Sequence, residues 1–286
     1  MKNFLLIGVA ALVLTGCQQA PVSETAAPDV EQPKAEAAQV MKKPAKYTSA
    51  EDIGNRGEVM MAIQSLDRPE ADLESDDIRK SSSVLEFTGV WPGMTVVELE
   101  AGSGYYTELF SRIVGKEGKV FMQNPHGFDA FIKPEIFEAR LGKNGERLAN
   151  VTHMRGLFDN LDVADNSADL VTWILGPHEM FCAPKDCGEL GTVEGAYGEI
   201  ARVLKPGGKF IALDHVAIGE DEAVGGTLHR IQPDKVKMRA EAVGLVFVKA
   251  SDVLANKTDD HTKNVFDPEV RRKTDRFLHM YVKPEK

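Results

Sequence analysis

Positive charge is in short supply in this 286-residue sequence: 34 Lys and Arg face 44 Asp and Glu, for a formal charge of -10. A phosphate backbone would repel such a surface, which excludes sequence-independent nucleic-acid binding. Past the N-terminus no apolar run is long enough to cross a bilayer as a helix. No internal repeat is present, and no short metal signature of the HExxH kind. Cysteine is scarce as well, with Cys17, Cys182 and Cys187 making up the full set of three. What remains is 43% hydrophobic residues, enough for one substantial core and an appendage.

The N-terminus carries the first specific pattern. Lys2 precedes an apolar run, Phe4 to Leu14, that is too short for an ordinary spanning helix. It ends in Leu14-Thr15-Gly16-Cys17, which resembles the lipobox of bacterial lipoproteins. The resemblance implies a signal peptide over residues 1–16 and lipidation of the Cys17 thiol, so that lipid chains anchor the protein to the membrane. The alternative is an uncleaved hydrophobic anchor. Gln18 after the cysteine resembles the pattern for outer-membrane export, giving an expected place on the periplasmic face of that membrane. Residues 17–47 are rich in Ala, Pro, Gln and Glu and read as a disordered tether. The folded domain is expected over residues 48–286. Cys182 and Cys187, in "CAPKDC", either close a small disulfide loop outside the cytoplasm or remain reduced thiols.

Periodicity then gives an alternation of elements. An amphipathic helix is predicted over Asp76 to Val90, followed by the strand "MTVVELE" and the helix "GYYTELFSRIV" closed by Gly115. "GKVFMQN", "VTHMR" and "ADLVTWILG" read as strands two to four, with a short helix at Pro134 to Leu141. A helix over Glu189 to Leu204 stops at Lys205-Pro206-Gly207-Gly208. "KFIALDH", "LVFVKA" and "RFLHMYVKP" read as strands five to seven, with the helix "PDKVKMRAEAVG" between the fifth and sixth. Alternating strands and helices imply an α/β, doubly wound parallel sheet, with the last strand antiparallel because no long helix precedes it. The acidic run Glu70 to Asp77 reads as a solvated loop, or as part of a lid.

Three stretches carry a family resemblance. "VVELEAGSGYYTEL", "ADLVTWI" and "YGEIARVLKPGGKFIALDH" resemble motif I, the fourth-strand motif and the post-motif helix, turn and strand of class I S-adenosylmethionine-dependent methyltransferases. The C-terminal tail resembles a narrower group of bacterial predicted methyltransferases, many of them exported. The resemblance implies a seven-stranded Rossmann-like sheet, S-adenosylmethionine as cofactor and a small-molecule acceptor. It also implies cofactor contacts from Glu98, Gly102, Ser103 and Gly104. Glu100 departs from the pattern: it stands where a glycine is usual, either crowding the cofactor or pairing with its positive groups. Asn124 stands where an acidic residue would hold the ribose, and Asp159 is a candidate neighbour of the adenine.

In a doubly wound fold the ligand lies outside the carboxyl ends of the strands. That rim is expected to gather His178 and Glu179, Asp214 and His215, and His229, with Asp259-Asp260-His261 folding over it. Two chemistries are open. His178 or His215 could act as a general base oriented by Glu179 or Asp214, since imidazole titrates near neutrality. Alternatively His178, His215, His229 and His261 could ligate a divalent metal. The plainer reading is that each histidine caps or bridges loops. Tyr105 or Tyr106 is a candidate cofactor neighbour, and Trp91 and Trp173 are expected in the core or pocket wall.

Overall fold

The computed structural model describes residues 54–285. The expected signal peptide (1–16), its Cys17 and the tether (17–47) lie outside the described residues. Every structural statement below concerns the unit Lys46–Lys286. No described helix is long and apolar enough to cross a membrane.

The core is a seven-stranded sheet: β1 (Thr95–Leu99), β2 (Lys119–Asn124), β3 (Val151–Arg155), β4 (Ala168–Ile174), β5 (Leu204–His215), β6 (Val246–Ser251) and β7 (Arg276–Val282). Their order is β3-β2-β1-β4-β5-β7-β6. β1, β2, β3, β4 and β5 pair in parallel, and β7 runs antiparallel between β5 and β6. The fold class is therefore the expected one.

Burial on both faces explains why these strands read as continuous apolar runs. Val97, Val171, Phe210 and Ala212 pack on one face, with helices α5 (Val193–Val203) and α6 (Pro233–Ala242) contributing Tyr197, Ile200 and Val236. Val96, Leu170, Ile211 and Leu213 turn to the other face. There they meet α1 (Arg56–Ile63), α2 (Ser81–Thr88) and α3 (Tyr105–Val114) through Val59, Val84, Leu109 and Phe110. Side chains that alternate along β4 and β5 therefore feed two separate cores. Thr192 caps α5 by accepting a hydrogen bond from Gly195 N at 3.1 Å, so that helix starts at Val193, not at the predicted Glu189.

The helix predicted over Asp76 to Val90 is broken. One turn (Asp76–Arg79) ends at Lys80, whose φ of 51° is left-handed, and α2 begins at Ser81. The acidic run before it is not a solvated loop. Asp72 is buried and paired with Arg140, while Asp76 takes both nitrogens of Arg68 at 2.8 Å. Tyr105 donates to Asp76 and meets Ser81 Oγ at 2.5 Å, so it braces this N-terminal segment instead of facing a ligand. Trp91, expected in the core or the pocket wall, is exposed; Trp173 is fully buried.

Candidate active site

The switch point of this sheet lies between β1 and β4, where the chain leaves in opposite directions from neighbouring strands. The glycine loop after β1 sits there. Gly102 has φ 58°, and a Cβ added to it would meet nothing within 4 Å, so the backbone faces open space. Gly104 has φ 82°, and a Cβ there would come to 3.0 Å from Arg140 Cγ and Met122 Cε. Arg140 also donates to Ser103 O at 2.9 Å, so one buried arginine holds the loop from outside.

Glu100 keeps the backbone of the glycine it stands in for, with φ 54°. Its carboxylate folds across the switch point and accepts from Trp173 Nε1 at 2.9 Å, close against Gly176. Burial, and next the Glu179 carboxylate, push its pKa well above the usual carboxylate range, so its neutral form is favoured. A neutral acid there does not repel an anionic ligand as a carboxylate would.

The other candidate cofactor contacts are engaged within the protein. Asn124 Oδ1 accepts from Gly102 N at 2.8 Å and its Nδ2 donates to Gly102 O at 3.2 Å, bracing the loop. Glu98 is buried and accepts from Thr107 Oγ1 at 2.5 Å; burial raises it to about 8. Asp159 accepts from Thr192 N at 2.7 Å and so steadies the start of α5. A cavity of about 520 Å³ opens beside the ends of β2 and β3, lined by Gln123, Arg155 and Asp162 among others.

On the β4 and β5 side a larger cavity, about 770 Å³, is lined by Glu100, His178, Glu179, His215 and His229 on its polar wall. Phe128, Phe131 and Phe266 form an apolar wall. The three predicted rim groups therefore converge. A 3-10 turn (Pro177–Phe181) after β4 carries His178 and Glu179. A short helix (Val224–Leu228) packs on that turn because Gly225 and Gly226 leave room: a Cβ on either would strike His178 O or Phe181 O at 2.6 and 2.4 Å. The helix ends at His229, in the left-handed conformation at φ 55°, with its ring edge-on to Phe266.

His178 Nδ1 lies 2.8 and 3.0 Å from the two oxygens of Asp214, which is fully buried and also accepts from His178 N at 2.9 Å. Its Nε2 lies 3.2 Å from Glu179 Oε1 and 3.3 Å from His229 Nδ1. Burial alone would lower the His178 pKa, but Asp214 and then Glu179 carry it up to about 10. Burial would raise Glu179, yet His178 and His229 hold it down to about 2.

His215 is a contrast. Burial, and next the charge of His178, hold it well below the ordinary histidine value, so it is a neutral base at neutral pH. Its Nδ1 meets Thr274 Oγ1 at 2.7 Å, and its Nε2 takes no partner among the described residues. His261 does not join the cluster: its Nε2 pairs with Asp275 at 3.1 Å. The neighbouring Asp259 instead grips the buried Arg230 at 2.8 and 3.1 Å, anchoring the loop that carries Phe266. Cys182 and Cys187 are joined by a disulfide at the edge of the cavity. Sequence reasoning missed Arg140, the aromatic wall and Thr274; the Pro134–Leu141 helix was the one signal that Arg140 had a fixed place.

Residues 98–212 match the family model described as a methyltransferase domain. Over 130 residues the chain is 32% identical to the ubiquinone/menaquinone biosynthesis C-methyltransferase UbiE of Shewanella pealeana, which covers 46% of each chain. The UbiE of Hydrogenovibrio crunogenus is 28% identical over 130 residues, 46% of this chain and 45% of that protein. The chain spans about half the length of these curated relatives. A solved S-adenosylmethionine-dependent methyltransferase from Aquifex aeolicus superposes with a TM-score of 0.50 at 21% identity, over 77% of this chain and 96% of that one. The cyclase SpnF gives 0.53 at 14% identity, over 83% and 97%. At these identities the superpositions show the methyltransferase fold. That a cyclase shares it means that the chemistry must be argued from the site.

Proposed function

We propose that this methyltransferase domain transfers a methyl group from S-adenosylmethionine to a small apolar or aromatic acceptor. One observation supports this above others: the switch-point cavity of about 770 Å³ joins the glycine loop, through Glu100, to a histidine-acid wall facing three phenylalanines. Open space beside Gly102 fits close approach of a ligand to the backbone. Gly102, Ser103 and Glu100 would hold the cofactor, with Gln123 and Asp162 lining the cavity beside the ends of β2 and β3. When bound, S-adenosylmethionine supplies a methyl carried on a positive sulfonium.

The chain's own contribution is positioning and one proton transfer. Phe128, Phe131 and Phe266 orient an apolar ring against the polar wall. His215, neutral and with Nε2 free, takes the proton from an acceptor O–H, N–H or acidic C–H; Thr274 fixes its ring. His178 is committed to Asp214 and Glu179 and does not serve as that base. The UbiE relatives, named as C-methyltransferases of quinone biosynthesis, are consistent with an aromatic acceptor.

The chain is proposed to work outside the cytoplasm, lipid-anchored through Cys17 on the periplasmic face of the outer membrane. The Cys182–Cys187 disulfide supports an oxidising compartment. The test is release of S-adenosylhomocysteine when the purified chain meets S-adenosylmethionine and extracts of small aromatic compounds. Turnover should fall ~10²–10⁴-fold in His215→Gln with cofactor affinity unchanged. Full turnover in that variant would remove His215 from the reaction.

A further inference from the structure

We propose that His178, Glu179 and His229 form a binding site for a divalent transition-metal ion of the zinc type, open on one side to the large cavity. Three potential ligand atoms meet there: His178 Nε2, Glu179 Oε1 and His229 Nδ1, at mutual distances of 3.2, 3.2 and 3.3 Å. Ligands placed 2.0–2.1 Å from a metal stand about 3.4 Å apart in a tetrahedron and about 3.0 Å apart at adjacent corners of an octahedron. The triangle falls between those values, so one ion fits in contact with all three without moving them far.

The surroundings agree with a ligand role. Both oxygens of buried Asp214 face His178 Nδ1 and hold the proton there, so an ion entering the site displaces the proton on Nε2 and takes that nitrogen as its ligand. A carboxylate behind an imidazole is the usual orienting partner of a metal-bound histidine. His229 is aimed by its left-handed backbone and its contact with Phe266. The Glu179 and Asp214 carboxylates both approach the His178 ring, so the site favours a cation. Two imidazoles with one carboxylate suit zinc or ferrous iron and disfavour magnesium and calcium, which prefer oxygen throughout. The fourth direction opens on the cavity that takes the proposed acceptor. An acceptor O–H presented there would become more acidic beside the ion; that consequence rests on the methyl-transfer reading, whereas ion binding does not.

The experiment is titration of the full purified chain, stripped with a chelator, with Zn²⁺ followed by calorimetry. About one ion per chain should bind, and His229→Gln and Glu179→Gln should each weaken binding roughly a hundredfold or more. His261→Gln, outside the cluster, should bind as the parent does. No binding by the parent, or equal binding in His229→Gln, overturns the site. X-ray absorption of the zinc-loaded parent does not depend on variants folding: nitrogen and oxygen neighbours are expected, and a sulfur neighbour overturns the assignment. Failure to bind S-adenosylmethionine would leave these results standing, so the two readings fail separately.

Discussion

Glu100 shows at the scale of one residue how a departure from a motif can be kept. Its backbone holds φ 54°, which costs a non-glycine residue about 1 kcal/mol or more, and its side chain satisfies the indole of buried Trp173. Glu100→Ala keeps the backbone cost and loses the bond; Glu100→Gly loses the bond but relieves the backbone. The glycine variant should therefore be more stable than the alanine variant by about 1 kcal/mol in urea unfolding. Equal stability would mean that the left-handed turn carries no cost. The sequence flagged Glu100 as out of place, but not its partner, because Trp173 lies on a different strand and no local pattern links them. His215 is a similar case: its strand end was legible, its free Nε2 was not, because Thr274 approaches from 59 residues away.

At the scale of elements, the N-terminal turns are fastened to the glycine loop by one buried network. Arg140 at the end of α4 (Pro134–Leu141) pairs with Asp72 at 2.6 Å and with Glu108 of α3 at 2.5 Å. Arg140→Met strands the buried Asp72 carboxylate and takes one of three arginines from Glu108, and should cost about 3 kcal/mol or more in chemical unfolding. Loss below about 1 kcal/mol would mean that the remaining arginines compensate. Burial would raise Glu108, but Arg147, Arg112 and Arg140 hold it down to about 2. Its folded value is depressed, so its stabilising contribution is present above its ordinary value and is lost as pH falls toward 2. Between pH 5 and pH 2 the stability of Glu108→Gln should therefore change less than the parent's; an equal change would mean that other carboxylates set the acid sensitivity. Strands and long helices were legible because two-sided burial writes itself as apolar runs. The break at Lys80 was not, since a left-handed lysine has no signature, and the Arg140 network was not, since its partners lie 32 and 68 residues away.

For the whole molecule, two claims carry the account: where the chain works and what it binds. If Cys17 is lipidated, Cys17→Ser should move the protein from the membrane fraction to the soluble one, with loss of the acyl mass; an unchanged membrane fraction would refute the anchor. The architecture that positions the site rests on the sheet order and on the match over residues 98–212, and it was readable because strand, turn and helix agree in two separate stretches and the β4 strand in a third. What the architecture leaves to the side chains is the ligand. The measurement that bears on it most directly is calorimetric titration of the purified chain with S-adenosylhomocysteine and S-adenosylmethionine. Binding of about one molecule per chain, abolished by a bulky residue at Gly102, is the predicted result. No heat from either ligand at about 1 mM, the range of only the weakest specific binding, would contradict the proposed function.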